Sequence, residues 1–135
     1  MVNVRRANGL IAKDSGGTSD PYCCVTIGKE KQKTQKIMKN LNPQWNEELK
    51  FSTLIFEQNI TFQLFDWDRF GSDDPLGSCF IEAWKVILNP NQDWTFPLTG
   101  GDAKGTLTVN IGVAAPLVAQ LKARAEAVVQ ARFIS

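Results

Sequence analysis

Histidine is absent from all 135 residues. That absence removes Ser-His-Asp and Cys-His catalysis, imidazole acid–base chemistry and His-containing zinc sites together. Cysteine is scarce. Cys23, Cys24 and Cys79 form an odd set with two neighbours in sequence, which suggests neither a disulfide framework nor a tetrahedral metal site. No apolar run approaches the roughly 20 residues of a membrane-spanning helix. The opening residues do not read as a signal peptide, so a cytoplasmic setting is expected. Charge of one sign is also missing: 15 Lys and Arg against 14 Asp and Glu leave a net charge of +1. Electrostatic function must therefore come from local clusters, and nothing in the balance points to nucleic acid.

The composition that remains is that of one folded domain, 43% hydrophobic and 21% charged. A chain of this size buries roughly two-thirds of its unfolded surface and needs no staple. Residues 1–113 read as short strands. Val2 and Val4 alternate with polar residues, as do Cys23, Val25 and Ile27; Leu49 and Phe51; Ile60, Phe62 and Leu64; and Leu107, Val109 and Ile111. Period two marks half-buried antiparallel strands with one face on a core. This pattern directs Cys23 inward and Cys24 outward. Weaker strand candidates at 31–37, 78–82 and 93–98 bring the total to about eight, and an antiparallel β-sandwich accounts for that number best. Residues 116–133 lack glycine and carry proline only at the first position, as a helix tolerates. Leu117, Leu121, Ala125 and Val128 give that helix a modest apolar stripe. The expected organisation is a sandwich over 1–113 and a C-terminal helix or linker over 114–135.

Two loops, residues 14–21 and 66–75, carry six of the eight aspartates. Aspartate caps turns, so each could simply order its own loop. The arrangement argues for more. Asp66 and Asp68 leave a strand two residues apart and point to one side, Asp20 opens a strand, and Asp14 closes the segment before it. If those strand ends are neighbours, each pair of carboxylates 4–5 Å apart repels by about 3–4 kcal/mol at an effective dielectric near 20. Such a cluster needs a counter-ion. Oxygen ligands without His or Cys select calcium or magnesium, and flexible loops with many carboxylates suit calcium. The spacing is not that of an EF-hand.

Three motifs stand in order along the chain: Asp14-x5-Asp20-Pro21-Tyr22, then Leu41-Asn42-Pro43-Gln44-Trp45-Asn46-Glu47, then Asp66-Trp67-Asp68-x5-Asp74-x2-Gly77. Together they resemble the C2 domains of protein kinase C and synaptotagmin over about residues 2–113. The resemblance implies an eight-stranded antiparallel sandwich that binds two or three calcium ions between loops at one end. By it, Asp14, Asp20, Asp66, Asp68 and Asp74 are the metal carboxylates, and the backbone carbonyls of Lys13 and Trp67 complete the shell. It also implies calcium-dependent, peripheral association with anionic phospholipids, phosphatidylserine among them, and recruitment of a cytoplasmic protein to the membrane. The chain opens almost directly on the strand before the first loop, so the eighth strand should be Thr106–Val113 and the topology the permuted, phospholipase-like one.

Arg69 and Phe70 occupy the tip of the second loop, where the resemblance implies membrane contact. An aromatic between Arg and Gly at an exposed tip has little else to pack against. Lys29, Lys31, Lys33, Lys36 and Lys39 form the basic concentration of the sandwich, and Lys31 and Lys33 share one strand face about 7 Å apart. Those two resemble the phosphoinositide-binding cluster of protein kinase C, although Cys24 and Thr26 replace lysines on the preceding strand; an ordinary solvated face is the other reading. Trp45, with Asn42 and Pro43, should fix a turn and fill the core. The expected function is that of a binding module, not an enzyme, because carboxylates at an exposed tip offer no dry pocket for raising one catalytic pKa. The rival reading is a calcium-independent scaffold that binds a protein through the basic face or the C-terminal helix.

Overall fold

The structure is a computed structural model that describes residues 1–52, 54 and 57–134, and in the last helix leaves out the side chains of 115–117, 121, 125, 128, 133 and 134. Eight strands appear in the order β1 (Val2–Asn8), β2 (Pro21–Ile27), β3 (Glu30–Lys33), β4 (Gln44–Leu49), β5 (Asn59–Asp66), β6 (Asp74–Glu82), β7 (Asp93–Pro97) and β8 (Thr106–Ile111). Helix α1 (Ala83–Leu88) lies between β6 and β7, and α2 (Ala115–Ile134) follows β8. One antiparallel sheet has the order β4-β1-β8-β7 and the other β3-β2-β5-β6. The last strand returns to pair with the first, Val2 opposite Ile111 and Asn8 opposite Thr106. That closure is the permuted connection expected from the sequence.

The alternating residues meet between the sheets. Val2, Val4, Val25, Phe62, Leu64, Leu107 and Val109 are at most 1% exposed. A register shift between Val4 and Arg6 breaks the alternation in β1 and turns Ala7 inward, where it is fully buried. Gly77 adopts φ +129°, and a Cβ there would lie 2.8 Å from the Ala103 Cβ, so only glycine fits that close approach. Trp45 is buried as expected, and its indole N–H donates to the Pro21 carbonyl at 3.3 Å.

Several expectations shift. The strand read around Leu49 and Phe51 begins at Gln44 and ends at Leu49, while Phe51 packs on the core from outside it. The candidate at 31–37 shortens to Glu30–Lys33, and that at 78–82 lengthens back to Asp74. Cys24 is buried as well as Cys23, because its cross-strand partners Lys33 and Gln63 share its face and cover it. Helix α1 was not expected; it buries Ala83, Val86 and Ile87. The predicted α2 stripe of Leu117, Leu121, Ala125 and Val128 lies outside the described side chains. Val118 packs against the core, and Arg132 near the far end of α2 donates to Glu82 at 2.9 Å.

Candidate metal centre

The β1–β2 loop is built around Ser19, which is fully buried. Its hydroxyl donates to the Ile11 carbonyl at 2.9 Å and accepts the Lys13 N–H at 3.0 Å. The Asp14 N–H donates to the Thr18 carbonyl at 2.8 Å, and the Gly17 N–H returns to the Asp14 carbonyl at 3.1 Å. These bonds fold the loop back on itself and set Asp14 beside the start of β2. There, Pro21 lies opposite Asp66, the last residue of β5. The Asp20 N–H donates to Asp66 Oδ1 at 2.7 Å, and the Trp67 N–H donates to the Asp20 carbonyl at 3.0 Å. The two loops, about 45 residues apart in sequence, are thus joined through their backbones.

The result is a convergence of carboxylates. Asp14, Asp20 and Asp66 each offer an oxygen, and the three oxygens lie within 4.8 Å of one another. Asp66 is 2% exposed and Asp20 is 8% exposed. Burial first, then the neighbouring Asp14 and Asp20 charges, push the Asp66 carboxyl up to about 6 from its ordinary value, against the opposing pull of the Asp20 N–H. An all-oxygen donor set with one member pushed toward its neutral form fits a hard divalent cation, whose charge would relieve the crowding.

Asp68 and Asp74 stand at the margins of this group. Asp68 is exposed and its Oδ1 accepts the Phe70 N–H at 3.0 Å, which folds the loop tip. Asp74 opens β6 opposite Asp66. Lys13 sits in the first loop, its ammonium 2.8 Å from the Asp102 carboxylate. Trp67 lies between Asp66 and Asp68 with the Lys36 ammonium 4.1 Å from its ring centroid. At the tip, Phe70 is 90% exposed with the Arg69 guanidinium 5.4 Å from its ring centroid. A cavity of about 470 Å³ opens above the cluster, with Asp14, Asp20, Met38, Asp68 and Arg69 in its wall.

Lys31 and Lys33 are exposed on the edge strand β3. The Lys33 ammonium lies 5.7 Å from the Tyr22 ring centroid. Lys33 helps line a cleft of about 210 Å³ with Tyr22, Lys36, Trp67 and Asp73, and Lys31 is outside it. The Tyr22 hydroxyl donates to Asp73, a short contact that holds the Asp73 carboxyl below the usual range. Burial and Asp73 together push the Tyr22 phenol up to about 12. Lys36 and Lys39 were legible in the sequence only as part of the basic concentration, and no sequence pattern assigned a role to Met38 or Asp73. The only signal for Met38 was an apolar residue in a polar loop without period.

Comparison with known proteins agrees with this architecture. The family model described as C2 domain matches residues 1–98. Protein C2-DOMAIN ABA-RELATED 3 of Arabidopsis thaliana is 34% identical over 110 residues, which cover 77% of this chain; the match spans 65% of the relative's own length. The C2-A domain of plant Extended Synaptotagmin 1 superposes with a TM-score of 0.72 at 32% identity, covering 80% of this chain and 87% of that one. A calcium-bound structure of the A and B C2 domains of Extended-Synaptotagmin 2 gives a TM-score of 0.67 at 31% identity, covering 80% of this chain and 42% of the other. With the sandwich, its permuted closure and the match over most of its length in agreement, the chain belongs to the C2 domain family.

Proposed function

We propose that this domain binds calcium at its aspartate end and, in that state, binds anionic phospholipid membranes. The observation that carries the reading is the meeting of Asp14, Asp20 and Asp66 within 4.8 Å, two of them buried at the junction of two loops. The calcium-bound relative, Extended-Synaptotagmin 2, supports it at 31% identity. Asp68, Asp74 and the backbone carbonyls of Lys13 and Trp67 would complete the ligand set. Two calcium ions supply +4, or three supply +6, against −5 from the five aspartates, together with coordination positions for lipid phosphate or carboxylate oxygens.

The chain's own residues do the rest. The aspartates hold a surface that repels anionic lipid when no cation neutralises it. Arg69 meets lipid phosphates, and Phe70 enters the acyl boundary from the tip. The cleft among Tyr22, Lys33, Lys36 and Trp67 suits a multivalent phosphate, which extends the reading to phosphoinositides, with Lys31 beside it on the same strand face. The domain is read as a binding module without a reaction of its own, recruited from the cytoplasm to the membrane.

The test is cosedimentation with phosphatidylserine vesicles in calcium and in excess chelator, for the wild type and for Asp66→Asn/Asp68→Asn. Binding in calcium alone, lost in the double variant, is the expected result. Equal binding in chelator would overturn calcium control and shift attention to the lysines. Binding in neither condition would favour a protein partner.

A further inference from the structure

Among the described residues, Met1, Met38, Phe70 and Phe80 are the exposed large hydrophobic side chains, and Met38 is 53% exposed. Met38 and Phe70 belong to the aspartate end, on different loops. The loop between β3 and β4 that carries Met38 is sewn to the first aspartate loop along its length. The Ile37 N–H donates to the Pro21 carbonyl at 3.0 Å, the Asn40 N–H to the Ser19 carbonyl at 2.9 Å and the Leu10 N–H to the Leu41 carbonyl at 3.0 Å. Gly9 N–H donates to Asn42 Oδ1 at 2.8 Å. At the centre of this seam the Lys39 N–H donates to Asp20 Oδ1 at 2.7 Å.

Lys39 adopts φ +50°, the left-handed region that penalises any residue with a Cβ. Glycine or asparagine would sit there at less cost; the lysine that occupies it carries a cation next to Met38, with its backbone N–H on the Asp20 carboxylate of the cluster. Met38, Lys39 and Arg69 line the cavity above the cluster together with Asp14, Asp20 and Asp68. Two of the loops that line it therefore each carry an apolar side chain next to a cation, Met38 with Lys39 and Phe70 with Arg69.

We propose that Met38 and Lys39 form a second contact with an anionic bilayer, Met38 entering the acyl boundary while Lys39 meets lipid phosphates. The inference rests on the calcium-dependent membrane reading above and adds a loop to it. A bilayer fits better than a protein partner because the exposed apolar points are single side chains on different loops, each with a cation as its sequence neighbour. Lys39 and Arg69 also match a surface of phosphates in charge. Two insertion points on loops both hydrogen-bonded to Asp20, one through its carboxylate and one through its backbone carbonyl, fix the tilt of the domain, which a single anchor at Phe70 leaves free to pivot.

The experiment titrates the full 135-residue chain in saturating calcium with mixed phosphatidylserine and phosphatidylcholine vesicles. Met38→Gln should need roughly tenfold more lipid for half-binding, the loss of one buried apolar side chain. Met38→Leu should recover most of that loss. Phe80→Gln, at a side chain 58% exposed on β6, should bind as the wild type does. A Met38→Cys chain carrying an environment-sensitive fluorophore should shift to the blue only when calcium and vesicles are both present. Equal binding by Met38→Gln and the wild type, or a label that stays in water, overturns this inference and leaves the calcium reading standing. Failure of the wild type to bind vesicles in calcium overturns both.

Discussion

The Asp66 carboxylate accepts the Asp20 N–H at 2.7 Å while lying among two other carboxylates, so its protonation is the point at which pH reaches the site. Its folded value of about 6 is raised above the ordinary aspartate value of the unfolded chain. Between the unfolded value and about pH 6, the folded, metal-free protein therefore holds a proton that the unfolded chain has released. The stability this group contributes is fully present below the unfolded value and is lost as pH rises through about 6. In chelator, thermal scans from pH 7 down to pH 5 should show this contribution returning, and Asp66→Asn should melt a few degrees above the wild type at pH 7. Calcium affinity should run the other way, falling below about pH 6 as the proton competes, with proton release on binding measurable by calorimetry. A calcium affinity that stays flat from pH 7 to pH 5 would sink the assignment of Asp66. At Lys39 the left-handed backbone makes a separate test. Lys39→Gly should stabilise the fold by about 0.5–1 kcal/mol in urea, by relief of the Cβ penalty, while weakening vesicle binding.

At the scale of the elements, most strands were legible because one face of each meets the core and the other meets water, which writes period two into β1, β2, β5 and β8. Phe62 is fully buried at the centre of that pattern, and Phe62→Ala should cost roughly 3–5 kcal/mol by denaturant unfolding. Where the pattern blurred, a local backbone event was responsible. Asn46 takes φ +48° inside β4, so the strand does not follow simple alternation, and its start at Gln44 was hidden. Helix α1 has six residues, too few for a helical period to stand out against the flanking strand. The aspartate motifs were legible as chemistry, yet the convergence of Asp14, Asp20 and Asp66 depends on β2 pairing with β5, a long-range register that no local spacing records. The placement of Met38 and Lys39 beside Asp20 was hidden for the same reason. Helix α2 offers a prediction of its own. Glu82 accepts the Trp84 indole N–H at 2.6 Å and Arg132 at 2.9 Å, and those bonds hold its carboxyl below the usual range. An exposed pair of this kind contributes at most about 1 kcal/mol. Arg132→Ala should therefore leave the unfolding midpoint of the sandwich nearly unchanged while speeding amide exchange in the last turns of α2. A large drop in the midpoint would mean that α2 is integral to the core.

Among the described residues, the converging carboxylates lie at one end of the sandwich, with Met38, Lys39, Arg69 and Phe70 on the loops beside them. On the function proposed above, calcium and an anionic membrane are two ligands of that one surface. If the aspartates repel anionic lipid in their metal-free state and lipid oxygens complete the metal's coordination, each ligand must favour the other by the same factor. Two measurements on the same protein check this. Calcium affinity is titrated without vesicles and with phosphatidylserine vesicles in excess, and vesicle affinity is titrated in chelator and in saturating calcium. Both ratios should be large, at least tenfold, and equal within error, and both should shrink as salt rises and screens the phosphates. Neutral phosphatidylcholine vesicles should give a ratio close to one, because they carry no net charge to be repelled or attracted. A calcium affinity indifferent to anionic vesicles would show that the aspartates bind their ion without reporting it to a membrane, and the joint role of this end of the sandwich would fall with it.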